Sequence, residues 1–399
     1  GSRYRLKRYK ISRSLTPTPP VVNTHVHVAP NFSAFDTVAD VVAEARAQGV
    51  RALGISSFFD QQVYGRFADA CAAAGIVPLF GLEFITADAD LAARGVRVND
   101  PANPGRIYFC GKGIQPFRPK PDAAAATHAL IREANDARAT AMVGQLAAHF
   151  AAHGVPTGLT AEAVAAAVAE RGGVPVEWVS LQERHIARAF ADAVAALPAS
   201  ERAAALERVL GAPSRDATDA VGVQGEIRAR LLKSGTPGFV PEVPISFGEV
   251  YDYVLAVGGI PTYPILGDGA GTITEWEDPT TLAQRLRDKG VFAAELIPAR
   301  NAGVVVDAYV AALTAAGLIV MGGTEHNTLD RIPLDPACAD GPISDAARAA
   351  FFEATCVVAA HQSLVAEGKP GYVDASGALV GDAAHRAALV ALGATIIGR

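Results

Sequence analysis

Cysteine is scarce: the 399-residue chain has four (Cys71, Cys110, Cys338, Cys356), and no two are spaced Cys-x-x-Cys. That speaks against a disulfide framework and fits reduced thiols in a cytosolic protein. Charged residues are also few, at 19% against 50% apolar, which argues for a compact core rather than a disordered scaffold. A basic excess is missing. With a formal net charge of −6 the chain does not suit general nucleic-acid binding, which needs Lys and Arg for phosphates. No apolar run suggests a bilayer span and no leader precedes the first motif, so a cytoplasmic protein without a membrane partner is expected. One local exception to the charge balance is residues 3–13, with Arg3, Arg5, Lys7, Arg8, Lys10 and Arg13. They read as a solvated arm or as an anion clamp.

What is present is a rhythm. Residues 21–28 are valine-rich and end in a polar cluster, as a buried strand would. Residues 37–48 have apolar positions at helical spacing, and Gly49 stops them. Strand 51–55, helix 67–74, strand 76–84 and a strand around 107–110 follow, the alternation of a parallel sheet or barrel. From about 122 to 234 the strand signal vanishes into Ala, Glu and Arg at helical period, which reads as a helical insertion over one end of a barrel. The β/α rhythm resumes with helix 247–257, strand 259–263, helix 281–289, strand 292–297, helix 304–316 and strand 318–321. The expected units are a barrel of residues 15–121 and 235–340, the insertion 122–234, and a helical tail 341–399 packing on the barrel.

Polar residues gather at strand C-terminal ends, where barrel enzymes place their chemistry. In Asn23-Thr24-His25-Val26-His27 the two imidazoles are two residues apart, so in a strand they share a face and offer half of a divalent-metal site. A lone His-x-His also occurs as surface or core polarity. Glu83 ends the apolar run Leu79-Phe80-Gly81-Leu82, and a carboxylate there must be paired or bind metal. Glu295, in Phe292-Ala293-Ala294-Glu295-Leu296, faces inward if Ala294 faces the helices. Gly322-Gly323-Thr324-Glu325-His326-Asn327 follows the last strand and offers either ligands or a capped turn. Arg300 can grip an anion, or Asn301 can cap the next helix. Lys112, between Gly111 and Gly113, reads as a loop lysine, either solvated or touching a phosphate or carboxylate. His128, His149, His153, His361 and His385 lie on expected helices and read as structural.

The order of these motifs, His-x-His, Gly81-Leu82-Glu83, Gly258-Gly259-Ile260, then a Gly-rich turn with an acid and a His, resembles the PHP (polymerase and histidinol phosphatase) family. The likeness is nearest to the branch that cleaves nucleoside bisphosphates and short RNA. Gly235-Thr236-Pro237-Gly238-Phe239-Val240-Pro241 is similar to that branch's segment between insertion and barrel. Glu183-Arg184-His185-Ile186-Ala187-Arg188 is similar to its insertion-helix motif, in which a His faces the substrate. The resemblance spans most of residues 21–327 and departs in three places. Ser56-Ser57-Phe58-Phe59-Asp60 stands for the family's Thr-Asp-His, Thr262-Tyr263-Pro264 for its Ala-His-Pro, and Thr324-Glu325-His326-Asn327 for its Ser-Asp-x-His. A three-metal site cannot be rebuilt from these residues, whereas His25, His27 and Glu83 with Glu325 or His326 suffice for one metal.

The resemblance implies an α/β fold, a distorted TIM-like (β/α)7 PHP barrel with a helical lid. It implies a divalent metal ion (Zn, Mn or Fe) on His25, His27, Glu83 and His326, and a small anionic substrate. It also implies hydrolysis of a phosphoester by water activated at the metal. Glu325, Arg300 and His185 would serve that chemistry, with Tyr263 either moving protons or filling the space of the lost His. The alternatives are a lyase or isomerase acting on a sugar or hydroxy/keto acid, and a ligand-binding protein without catalysis. No stable nucleic-acid complex is expected, and a homo-oligomer is left open.

Overall fold

The computed structural model describes residues 19–59, 61–101, 103–243, 245–267 and 274–398. The basic stretch 3–13 and Asp60 lie outside them. The chain begins β1 (Val22–Val26), α1 (Val38–Ala47), β2 (Ala52–Phe58), α2 (Tyr64–Ala74), β3 (Val77–Ala87), α3 (Ala89–Ala93) and β4 (Arg106–Lys112). Five helices come next: α4 (Asp122–Ala152), α5 (Ala161–Gly172), α6 (Glu183–Ala195), α7 (Ala199–Leu210) and α8 (Ala220–Leu231). Then follow α9 (Phe247–Ala256), β5 (Ile260–Pro264), α10 (Pro279–Asp288), β6 (Ala293–Leu296), α11 (Gly303–Ala315) and β7 (Ile319–Gly322). A two-strand ribbon, β8 (Ala337–Cys338) with β9 (Gly341–Pro342), precedes α12 (Asp345–Ala366) and α13 (Ala383–Ile397).

The seven main strands lie in chain order in one sheet. Past β7 the chain bends back onto β1: Val26 bridges Glu325, and the His27 N–H donates to the Glu325 carbonyl at 2.8 Å. That contact all but closes a TIM-like barrel. Gly323 is needed there, since a Cβ on it would collide with the Cβ of His25.

One strand departs from the expected parallel array. β4 runs antiparallel to both β3 and β5. The reason is the connection: α3 has five residues, about 7 Å of helix. It cannot carry the chain back along the 11 residues of β3, which span about 36 Å. The chain therefore turns and descends beside the strand it has just left.

Strand parity sorts the side chains into two layers. Leu53, Ile55, Leu82, Phe109, Tyr263 and Ala294 join the core between sheet and helices. Val22, Ala52, Leu79, Ile260, Ala293 and Ile319 form the barrel floor and pack against α12. By length and composition α12 could cross a membrane, against the sequence expectation, but half of its apolar window is buried in the protein. Above the floor the inward positions turn polar. Helices α4 to α8 carry their own apolar core, around Met142, Leu146, Phe150, Ile186, Phe190 and Leu206. They touch the barrel at the loop after β1, where the Phe32 N–H donates to Gln182 Oε1 at 2.6 Å.

Candidate metal centre

β1 pairs with β2 through Asn23–Leu53 and then Val26–Ile55, so β1 carries an extra residue between these pairs. Such a bulge re-aims side chains. Here it lets two successive residues reach Glu295: Thr24 Oγ1 donates to Oε1 at 2.7 Å, and His25 Nδ1 lies 2.6 Å from Oε2. The loop after β7 holds the same segment from behind, because the Thr324 and Glu325 N–H groups both donate to the His25 carbonyl (3.1 and 2.8 Å).

The other nitrogen of His25 faces the barrel axis. His25 Nε2 lies 3.4 Å from His27 Nε2 and 3.3 Å from Glu83 Oε2, and His27 Nε2 lies 3.5 Å from that oxygen. All three residues are buried. The contacts are close but not directed, for among the described residues Glu83 Oε2 has no hydrogen bond, and neither has His27 Nδ1. Ligands about 2.1 Å from a tetrahedral ion stand roughly 3.4 Å from one another. The three donor atoms thus form one face of such a coordination shell. Glu295 supplies the outer carboxylate that fixes a ligating His with Nδ1–H outward and Nε2 free. Phe58 stacks on His27 with ring centroids 5.2 Å apart and planes within 3°.

The electrostatics suit a cation. Burial disfavours the charged form of Glu83, yet His25 and His27 hold its carboxyl well below the usual range. Burial acts against Glu295 too, but Lys112 and His25 keep it at about 2. Burial and the Lys112 charge oppose protonation of His25, and the Glu295 and Glu83 carboxylates outweigh them and raise it to about 9. Below that pH His25 holds a proton in the metal-free protein. A divalent cation must displace it, so affinity should rise with pH between 6 and 9 and then level off. Zinc calorimetry at pH 7 in two buffers of unlike ionisation enthalpy should report release of about one proton per ion. No release would mean that His25 was already neutral.

The other expected site residues are placed elsewhere. Tyr263 faces the helix layer, where its hydroxyl donates to Glu277 Oε1 at 3.0 Å, and burial with Glu277 pushes it well above its ordinary value. His326 has both ring nitrogens engaged, by Thr324 Oγ1 at 2.8 Å and the Ile332 carbonyl at 2.9 Å. Glu325 turns its carboxylate to Arg300. His185 accepts the Gln182 N–H at 3.1 Å and packs on Phe32; burial, with Arg171 and Arg188 nearby, lowers it to about 3. Lys112 is not on a loop. It lies on β4, 2% exposed, with Nζ 2.8 Å from Glu295 Oε2. Sequence reasoning passed over Arg184 as a binding group. It makes no side-chain ion pair or hydrogen bond among the described residues, and burial, Arg228 and Arg300 pull it down to about 10.

No protein family and no curated protein matches the chain. Solved structures do. One is a protein from Bifidobacterium adolescentis assigned as a metal-dependent phosphoesterase, at TM-score 0.56 and 18% identity, covering 84% of this chain and 96% of that one. Another is an amidohydrolase from Chromobacterium violaceum, solved with bound sulfate and no metal, at TM-score 0.52 and 18% identity, covering 79% and 93%. The likeness is one of fold.

Proposed function

We propose that this protein is a metal-dependent hydrolase that cleaves a phosphoester of a small anionic molecule, with one divalent cation on His25, His27 and Glu83. The observation that carries the reading is the triangle of Nε2, Nε2 and Oε2 at 3.3–3.5 Å with an unsatisfied buried atom on two of its residues. Two imidazoles and a carboxylate suit Zn, Mn or Fe. A cation held there supplies Lewis acidity, making water a better nucleophile and offsetting charge that develops on the ester.

The chain's own residues do the rest. Glu295 orients His25, and the backbone of residues 323–325 fixes the spacing of the two histidines. Arg184 and Arg300 bring positive charge close to Glu325, which Arg300 pairs, and among the described residues the Arg184 guanidinium feels Glu325 and Glu183 without forming an ion pair with either. A phosphoryl group is the kind of anion an arginine pair grips. Helices α4 to α8 serve as a lid that restricts water. The lyase or isomerase reading loses a proton carrier, because Tyr263 points away from the barrel axis.

The test is phosphate release from a panel of phosphoesters by protein loaded with Zn or Mn. Hydrolysis that a chelator stops and metal restores supports the proposal. Tight metal binding with no phosphoester cleaved would redirect it to another reaction. In the active enzyme, Arg184→Ala is expected to lower kcat/KM roughly 10–100-fold, the worth of one charge-assisted hydrogen bond, with most of the effect in KM. An unchanged KM would place the phosphoryl group elsewhere.

A further inference from the structure

Among the described residues two groups of side chains inside the barrel are able to ligate a metal, and they share one residue. The first is His25, His27 and Glu83; the second is His25, Cys110 and Glu295. They meet on opposite nitrogens of a single ring, Nε2 facing Glu83 and His27, Nδ1 facing Glu295. The proposed function uses only the first group. The second already contains a cation. Lys112 Nζ lies 2.8 Å from Glu295 Oε2 and 3.5 Å from His25 Nδ1. It donates also to Ser56 Oγ at 2.8 Å and to the Thr24 carbonyl at 3.0 Å. An ammonium has three donors and no acceptor, and Glu295, Ser56 and the Thr24 carbonyl use all three.

We propose that the Lys112 ammonium is a built-in cation that takes the place of a second metal ion and restricts the centre to one. The fold delivers it through the one strand that runs backwards. On β4, Cys110 and Lys112 point the same way, opposite Glu83 and Gly81 respectively. Gly81 leaves room for the stem, since a Cβ there would sit 3.1 Å from Lys112 Cδ. Charge balance points the same way. With Lys112, the two carboxylates and one divalent cation leave a single net positive charge in a buried space. A second ion beside the ammonium would raise that steeply, and buried uncompensated charge is costly. Without the ammonium, a second ion would find Glu295 and, once the Cys110 thiol proton and the His25 Nδ1 proton have passed to the buffer, Cys110 and the shared ring, which leaves the space without net charge. Lys112 is thus a positioning residue that sets metal stoichiometry and, through Glu295 and His25, the ligand field of the ion that remains.

This inference rests on the metal centre proposed above, and the experiment separates the two. Metal-free wild type, Lys112→Ala and Lys112→Ala/Cys110→Ser are titrated with Co²⁺ past saturation. Bound metal is counted after desalting, and the near-ultraviolet thiolate-to-cobalt band is recorded; circular dichroism confirms the fold of each. Wild type should saturate at about one ion without a thiolate band, Lys112→Ala at about two with the band, and the double variant should lose the band. A second ion taken up by wild type overturns the inference without reference to any variant. So does a folded Lys112→Ala that still binds one. Wild type that binds none overturns the metal centre itself.

Discussion

Glu83→Gln is expected to stop hydrolysis almost completely. Loss of an outer partner of a metal ligand costs ~10–100-fold in affinity or activity, and Glu83 belongs to the triangle itself, so a fall beyond ~10³-fold is expected with metal at ordinary concentrations. The amide keeps the volume and one oxygen but removes the charge that offsets a divalent cation. It also removes the smaller of the two carboxylate influences that draw a proton onto His25, Glu295 being the larger; because the amide fills the same space, the metal-free variant should stay folded. Excess metal should recover part of the activity if Glu83 acts through binding. Steady-state rates across a Zn or Mn titration decide it, and activity within tenfold of wild type would take Glu83 out of the centre.

The second large effect is on stability. Glu295 is held by Thr24 Oγ1, His25 Nδ1 and Lys112 Nζ, all within 2.8 Å. Glu295→Ala leaves the Lys112 ammonium buried without its carboxylate, and breaking such a pair from one side costs about 3–5 kcal/mol. Lys112→Met in the same chain should recover much of that loss, because the stranded charge goes with it. Urea midpoints of the metal-free single and double variants measure both. A loss under about 1 kcal/mol for Glu295→Ala would show that water reaches the ammonium after all.

Much of this architecture was legible before any coordinates. The strands are short Val- and Ile-rich runs stopped by glycine; the period of two put His25 and His27 on one face and Glu295 inward if Ala294 faces the helices, and the apolar run before Glu83 marked it as a carboxylate in need of a partner. What failed was local conformation that composition does not encode. The direction of β4 depends on how little helix precedes it, and a five-residue α3 gives almost no periodic signal. Gly111-Lys112-Gly113 looks like a loop, yet Gly111 is there because a Cβ would come 2.9 Å from Val254 on α9. The glycine reports close packing of helix on strand, and only Gly113, at φ +68°, marks the turn. His326 was expected beside His25 because it follows a Gly pair at a strand end. Its backbone, and that of Glu325, are left-handed at φ 56° and 64°, which swings the ring to Thr324 and Ile332. Non-glycine residues seldom adopt that conformation, so nothing in the letters signalled it. Parity settles the direction of Tyr263: it sits opposite Ala294 on β6, and the alternation that turns Ala294 to the helices turns Tyr263 the same way.

Metal content addresses the central claim most directly. Protein purified without added metal, then reloaded with Zn or Mn and desalted, is measured by plasma mass spectrometry beside His25→Ala/His27→Ala. About one ion per chain in the wild type and none in the variant is the expected result. An equal metal content in the two proteins, or none in either after reloading, would contradict a centre built on this triangle.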